Sequence, residues 1–143
     1  MVLKALLFGI DGLISNINQI NYFVWQKVLQ EYGYKLSYQD YLQLFLFEHA
    51  PNLLIVLLPY CTVEEHSTII KAKEDAFIQL IAEMDTSQLH LAPGLLQFIS
   101  SCQGTDTTIV AVSDLSIKQT TAVLEKLHLD QLVRNTIICT LTS

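Results

Sequence analysis

Six residues near the N-terminus, Leu3–Phe8, form an almost unbroken apolar run broken only by Lys4, and the chain then turns abruptly through Gly9-Ile10-Asp11-Gly12. A short apolar run that ends in a glycine-bounded turn is the pattern of a strand buried on both faces of a parallel sheet. Parallel strands need long crossovers, so one such strand commits the rest of the chain to an α/β plan. The length, 143 residues, is that of one ordinary domain.

The helical signals come next. Asn16 or Asn18 is placed to cap a helix whose apolar residues Ile17, Ile20, Val24, Val28 and Leu29 recur at three- and four-residue spacing, with Gly33 as its stop. Ser37-Tyr-Gln-Asp40 has the form of a second cap, Asn52–Leu58 reads as a short helix, and Thr62-Val-Glu-Glu65 is a capping box for a long helix to about Met84. On that long helix Glu64, Glu65, Lys71, Lys73, Glu74 and Asp75 read as an exposed face. Trp25, Tyr22 or Phe23, and the apolar side of Phe77–Ile81 are expected to pack the helices together, although the aromatics of Tyr22–Tyr41 could also line a small-molecule pocket. After Leu91-Ala-Pro-Gly94 the texture changes. Pro93 suits the first turn of a helix carrying Leu95, Leu96, Phe98 and Ile99, Thr108–Val112 is a β-branched strand, Ser116 caps a helix to about Leu127, and Thr136–Cys139 is a last strand.

Composition sharpens the functional reading. Asp and Glu outnumber Lys and Arg by 14 to 8, a formal charge of −6, so nucleic-acid binding through a basic face is not expected. Charged residues are 15% of the chain, against an ordinary share of roughly 25%. A surface this poor in charge suggests that part of it is covered by a protein partner or a second copy. Cys61, Cys102 and Cys139 lie in or beside apolar runs without metal-ligand spacing, which reads as buried thiols in a reducing compartment. The N-terminal run is too short for a signal peptide or a spanning segment, so the expectation is a cytoplasmic protein with no membrane association. His49, His66, His90 and His128 have no acid partner at a recognisable spacing and read as structural or solvated.

Taken together, the apolar strand ending in Gly9-Ile-Asp11-Gly12, the placement of Tyr22, Trp25 and Gly33, the Leu91-Ala-Pro-Gly94 return and the strand Ile109-Val-Ala-Val-Ser113 resemble the haloacid dehalogenase (HAD) superfamily, of the phosphoglycolate phosphatase and β-phosphoglucomutase kind. The resemblance implies a truncated HAD-like Rossmannoid parallel sheet of about three strands in residues 1–15 and 86–143, with a helical cap inserted over residues 16–85. It also implies a phosphoryl-transfer site built on an Asp nucleophile, a second Asp two residues later as acid and base, and Mg²⁺. Here the nucleophile position is Gly9, the second Asp is Asp11, and the hydroxyl residue that should follow Gly12 is Leu13. No Lys follows Lys126 and no Asp or Glu follows Asp130, so the family's later Lys and acidic metal ligands have no counterpart in these residues.

Two readings follow from the resemblance. In the first, the chain is a catalytically inactive pseudoenzyme serving as a binding, assembly or regulatory module, with Gly9, Asp11, Gly12, Ser113 and Asp114 as a vestigial pocket, no catalytic residue, no metal and no cofactor. The second is a residual phosphohydrolase or phosphomutase using Asp11 and Mg²⁺, either unaided or with the missing groups borrowed from a partner. A small phosphorylated ligand at the vestigial pocket is compatible with either, while the simpler view has Asp11 stabilising its turn and Ser113 ending its strand. Loss of the family's later strands would leave the first strand at the sheet edge, which makes Leu3, Ala5 and Leu7 the expected interface.

Overall fold

The computed structural model describes residues 5–45 and 50–138, with side chains as far as Val133. Leu3, His49 and Cys139 lie outside the described residues. The chain divides into two compact units, one made of the described residues up to Asn18 and from Ile78 onward, the other of Gln19–Phe77.

The first unit holds a three-stranded parallel sheet in the order β1-β2-β3, with β1 at Ala5–Gly9, β2 at Thr108–Ser113 and β3 at Val133–Ile138. Pairing of β1 with β2 is regular from Ala5 opposite Thr108 to Gly9 opposite Val112, whereas the β2–β3 register shifts between Ile109 and Val110. The one-turn helix α1 (Ile10–Leu13) follows β1 directly. Helices α6 (Leu95–Ser101) and α7 (Ile117–Lys126) lead into and out of β2. The two crossovers step the same way across the sheet, so their right-handedness puts α6 and α7 on one face. Burial follows that geometry. Phe8, Ile109, Ala111 and Ser113 are buried, as are Ile99 of α6 and Val123 and Leu124 of α7, while Ala5, Leu7 and Thr108 are exposed and Val110 and Val112 half-buried.

That alternation corrects the expectation that the first strand is buried on both faces. Among the described residues of this unit, α6 and α7 lie on one face of the sheet, and on the other Leu7 is 59% exposed.

The second unit is helical. Its elements are α2 (Ile17–Gln30, beginning in the first unit), α3 (Tyr38–Asp40) running into a π-helical turn at Tyr41–Phe45, α4 (Ala50–Leu57) and most of α5 (Val63–Glu83). α2 ends in a left-handed turn that requires Gly33 (φ +79°), where the Gly33 N–H donates to Gln30 O at 3.0 Å and the Tyr34 N–H to Leu29 O at 3.1 Å. Ser37 Oγ accepts from the Asp40 N–H at 3.1 Å. Thr62 and Glu65 form the reciprocal capping box, at 3.1 and 3.3 Å.

Trp25 is buried, with its ring 5.0 Å from that of Phe45, and Tyr22 meets Tyr38 and Tyr41 edge-on at 5.0 and 5.6 Å. Phe23, expected as an alternative centre of packing, is instead 42% exposed with Lys27 over its ring. Lys73 departs further from expectation. It is 6% exposed rather than part of a solvated face, with its Nζ 5.2 Å from the Trp25 ring centre and 5.7 Å from that of Phe77. Aromatic faces partly replace the water an ammonium loses on burial. His66 is also buried, its Nε2 2.8 Å from Leu58 O, while His90 and His128 are exposed.

Two capping expectations need revision. Asn16 does not cap α2; its amide donates to Gln88 O at 3.1 Å and its Oδ1 accepts from the His90 N–H at 2.9 Å. With Ser15 N–H donating to His90 O and Ala92 N–H to Leu13 O, this ties the outgoing chain to the returning one. Pro93 lies ahead of the α6 N-cap, Gly94, rather than inside the first turn. Ser116 caps α7 as expected, accepting from the Gln119 N–H at 3.2 Å.

Candidate functional site

In an open parallel sheet, the carboxyl ends of adjacent strands are where ligands are held. Here β1 and β2 are neighbours, so Gly9–Gly12 and Ser113–Asp114 emerge at the same end of the sheet. The local geometry of each residue then decides what that end offers.

Gly9 has φ −86° and ψ 141°, ordinary extended values that any L-residue adopts. Its backbone therefore does not demand glycine. A Cβ built at position 9 would lie 2.6 Å from Asp11 Oδ1, the end of an exposed side chain that can turn aside. The Asp11 carboxylate has turned back over Gly9 and accepts from the Gly12 N–H at 3.0 Å. Asp11 and Gly12 are both exposed, and a Cβ at Gly12 would meet nothing within 4 Å. One of the backbone donors that an anion would use is thus already engaged by a carboxylate of the same turn.

Ser113 is buried at 4% exposure. The Leu115 N–H donates to its Oγ at 3.1 Å, and Thr120 Oγ1 lies 2.8 Å from the same oxygen while reaching Ser116 O at 2.9 Å. The hydroxyl is held in the β2–α7 connection, where it braces the start of the helix. Asp114 is exposed beside it. The described end of the sheet therefore presents two exposed carboxylates, Asp11 and Asp114.

A magnesium ion prefers an octahedral set of oxygen ligands. The residues here do not fit one: position 9 offers no carboxylate, Asp11 is turned onto its own backbone, and among the described residues no three His, Cys, Asp or Glu side chains come together. No helix of the described residues is long and apolar enough to cross a membrane. Cys61 and Cys102 are free thiols; Cys102 is buried, whereas Cys61 is half-buried, and burial together with the Glu65 carboxylate beside it pushes its thiol pKa up.

No family model matches the sequence. Solved structures do match the fold. CbbY from Rhodobacter sphaeroides in complex with phosphate superposes with a TM-score of 0.75 at 16% identity, covering 94% of this chain and 63% of that one. A β-phosphoglucomutase from Clostridium difficile gives 0.69 at 17% identity over 94% of this chain and 61% of its own. A candidate phosphoglycolate phosphatase from Lactobacillus plantarum gives 0.69 at 20% identity over 96% and 62%.

The chain thus has the HAD-like α/β fold with a helical insertion found in phosphoglycolate phosphatases and β-phosphoglucomutases. It spans a little under two-thirds of the length of these structures.

Proposed function

We propose that the chain is a catalytically inactive member of this fold that serves as a protein-binding or assembly module. The observation that carries the reading is position 9. The strand that should deliver a nucleophilic carboxylate ends in glycine, and the neighbouring carboxylate of Asp11 fills the space a side chain there would need. Phosphoryl transfer by a covalent route needs an atom to receive the phosphoryl group, and glycine has none. The exposed Asp11 carboxylate would oppose the approach of a phosphate dianion. The exposed apolar face of the sheet supports the binding half of the proposal.

The test is hydrolysis of a generic aryl phosphate by purified protein, with and without Mg²⁺. No turnover above background is expected. Metal-dependent turnover that disappears in Asp11→Asn would establish the other reading, a residual hydrolase working through Asp11.

A further inference from the structure

Taking the protein-binding half of that reading as its basis, we infer that the corner between α4 and α5 docks a short basic amphipathic segment of a partner protein. The three most exposed large hydrophobic side chains among the described residues are Val56 at 75%, Val63 at 71% and Tyr60 at 69%, and Ile55 at 57% lies in the same stretch of nine residues. No Asp, Glu, Lys, Arg or His occurs from Ala50 to Val63. α4 is therefore apolar on both sides. Leu53 and Leu54, with Leu58 just beyond the helix, are buried, which leaves Ile55 and Val56 on the outer side, surplus to the packing of this unit. A helix that is apolar all round is ordinarily covered all round.

The corner is also held in place, which lowers the entropy cost of docking. Tyr60 Oη donates to Tyr32 O at 2.6 Å, the Cys61 N–H donates to Leu58 O at 3.1 Å, and the capping box of Thr62 and Glu65 fixes the start of α5. With its hydroxyl already bonded, Tyr60 offers a partner chiefly its ring. An aromatic anchor among aliphatic side chains, with polar groups around it, is the composition of an interface centre and its rim. Here the rim is acidic. Glu64 and Glu65 follow Val63 directly, Glu31 precedes Tyr32, and all three are exposed, while Lys35 is the one cation in the two loops that meet through Tyr60 and Tyr32.

Charge and area choose the occupant. A second copy docked through this corner would set Glu64 and Glu65 near their own equivalents, and an anionic lipid surface would be repelled by the same groups. A segment carrying Lys or Arg beside its apolar residues is instead attracted. The four side chains expose on the order of a few hundred Å² of apolar surface, enough to mark an interaction site. That is less than the roughly 800 Å² each partner gives to a standard interface, so the fit is to a single segment rather than to a folded domain. An amphipathic helix presents the stripe of apolar residues that such a patch requires.

The probe is a synthetic peptide of leucine and lysine, with its leucines along one helical face, titrated into the isotope-labelled chain and followed by amide NMR shifts. Saturable shifts should concentrate at residues 55–65, weaken as salt is raised, and be absent with the corresponding peptide of leucine and glutamate. Val56→Asp should reduce affinity by at least about tenfold. Should that variant fail to fold, Val63→Asp should do the same from a helix N-terminus, where an acidic side chain is favourable. Glu64→Lys should weaken binding less and flatten its salt dependence. Shifts centred elsewhere, affinity indifferent to both aspartate variants, or equal binding of the glutamate peptide would overturn the inference. So would a dimer of the unsubstituted chain, or its flotation with neutral phosphatidylcholine vesicles, that Val56→Asp abolishes, since either gives the corner a different occupant. Peptide shifts centred on Leu7 and Val110 would reject this corner alone and leave the binding-module reading standing, whereas docking here by a chain that hydrolyses phosphate esters would reject the inactive reading alone.

Discussion

At position 9 the missing side chain does more than remove a nucleophile. Because the Gly9 backbone is already extended and unstrained, replacing it meets no conformational barrier, only the Asp11 carboxylate 2.6 Å from the new Cβ. That carboxylate is exposed and can rotate away, at the cost of its bond to the Gly12 N–H. Gly9→Asp should therefore fold, with a loss of about 1 kcal/mol in urea unfolding, the worth of one hydrogen bond and some like-charge repulsion. It should gain no phosphatase activity, since Ser113 is tied into the β2–α7 connection. Turnover restored by this one change would mean that the other required groups reach the site from elsewhere. The glycine substitution was legible in the sequence. The response of Asp11 was not, because only coordinates show which way a short carboxylate turns.

Among the elements, the caps were the most legible features. Ser37, Thr62 with Glu65, and Ser116 bond within three residues of themselves, so their geometry is contained in a short stretch of sequence. Asn16 misled because its partners, Gln88 and His90, are 72 and 74 residues away, and a side chain that caps helices can equally join distant segments. Lys73 misled for a related reason. A lysine in a charged run reads as solvated, but the rings of Trp25 and Phe77 converge on it only after α2 and α5 have packed. This buried group gives the helical unit a sharp test. Trp25→Ala removes a ring that is 4% exposed and contacts both Phe45 and Lys73, and should cost about 3–5 kcal/mol in chemical denaturation. Trp25→Phe, which retains an aromatic face for the ammonium, should cost distinctly less. Equal losses, or none, would deny that Trp25 organises this unit.

For the whole molecule, strand and helix order sufficed to read the α/β plan, since parallel strands and their crossovers leave few arrangements open. The exposure of one sheet face was not readable from β1 itself, whose composition is that of a strand covered on both sides. It depends on which crossovers are present, and both described crossovers place their helices on the same face. The fold is shared with phosphatases and mutases at 12–20% identity, so activity must be judged from the site rather than from the architecture. The most direct measurement is fluorine NMR of the protein with Mg²⁺ and beryllium fluoride, which together mimic a phosphorylated aspartate. An inactive chain lacking the nucleophile should show only the resonances of free fluoroberyllate species, identical in the unsubstituted protein and Asp11→Asn. Protein-bound resonances that require Mg²⁺ and vanish in Asp11→Asn would contradict the account, since they would show Asp11 accepting the phosphoryl mimic.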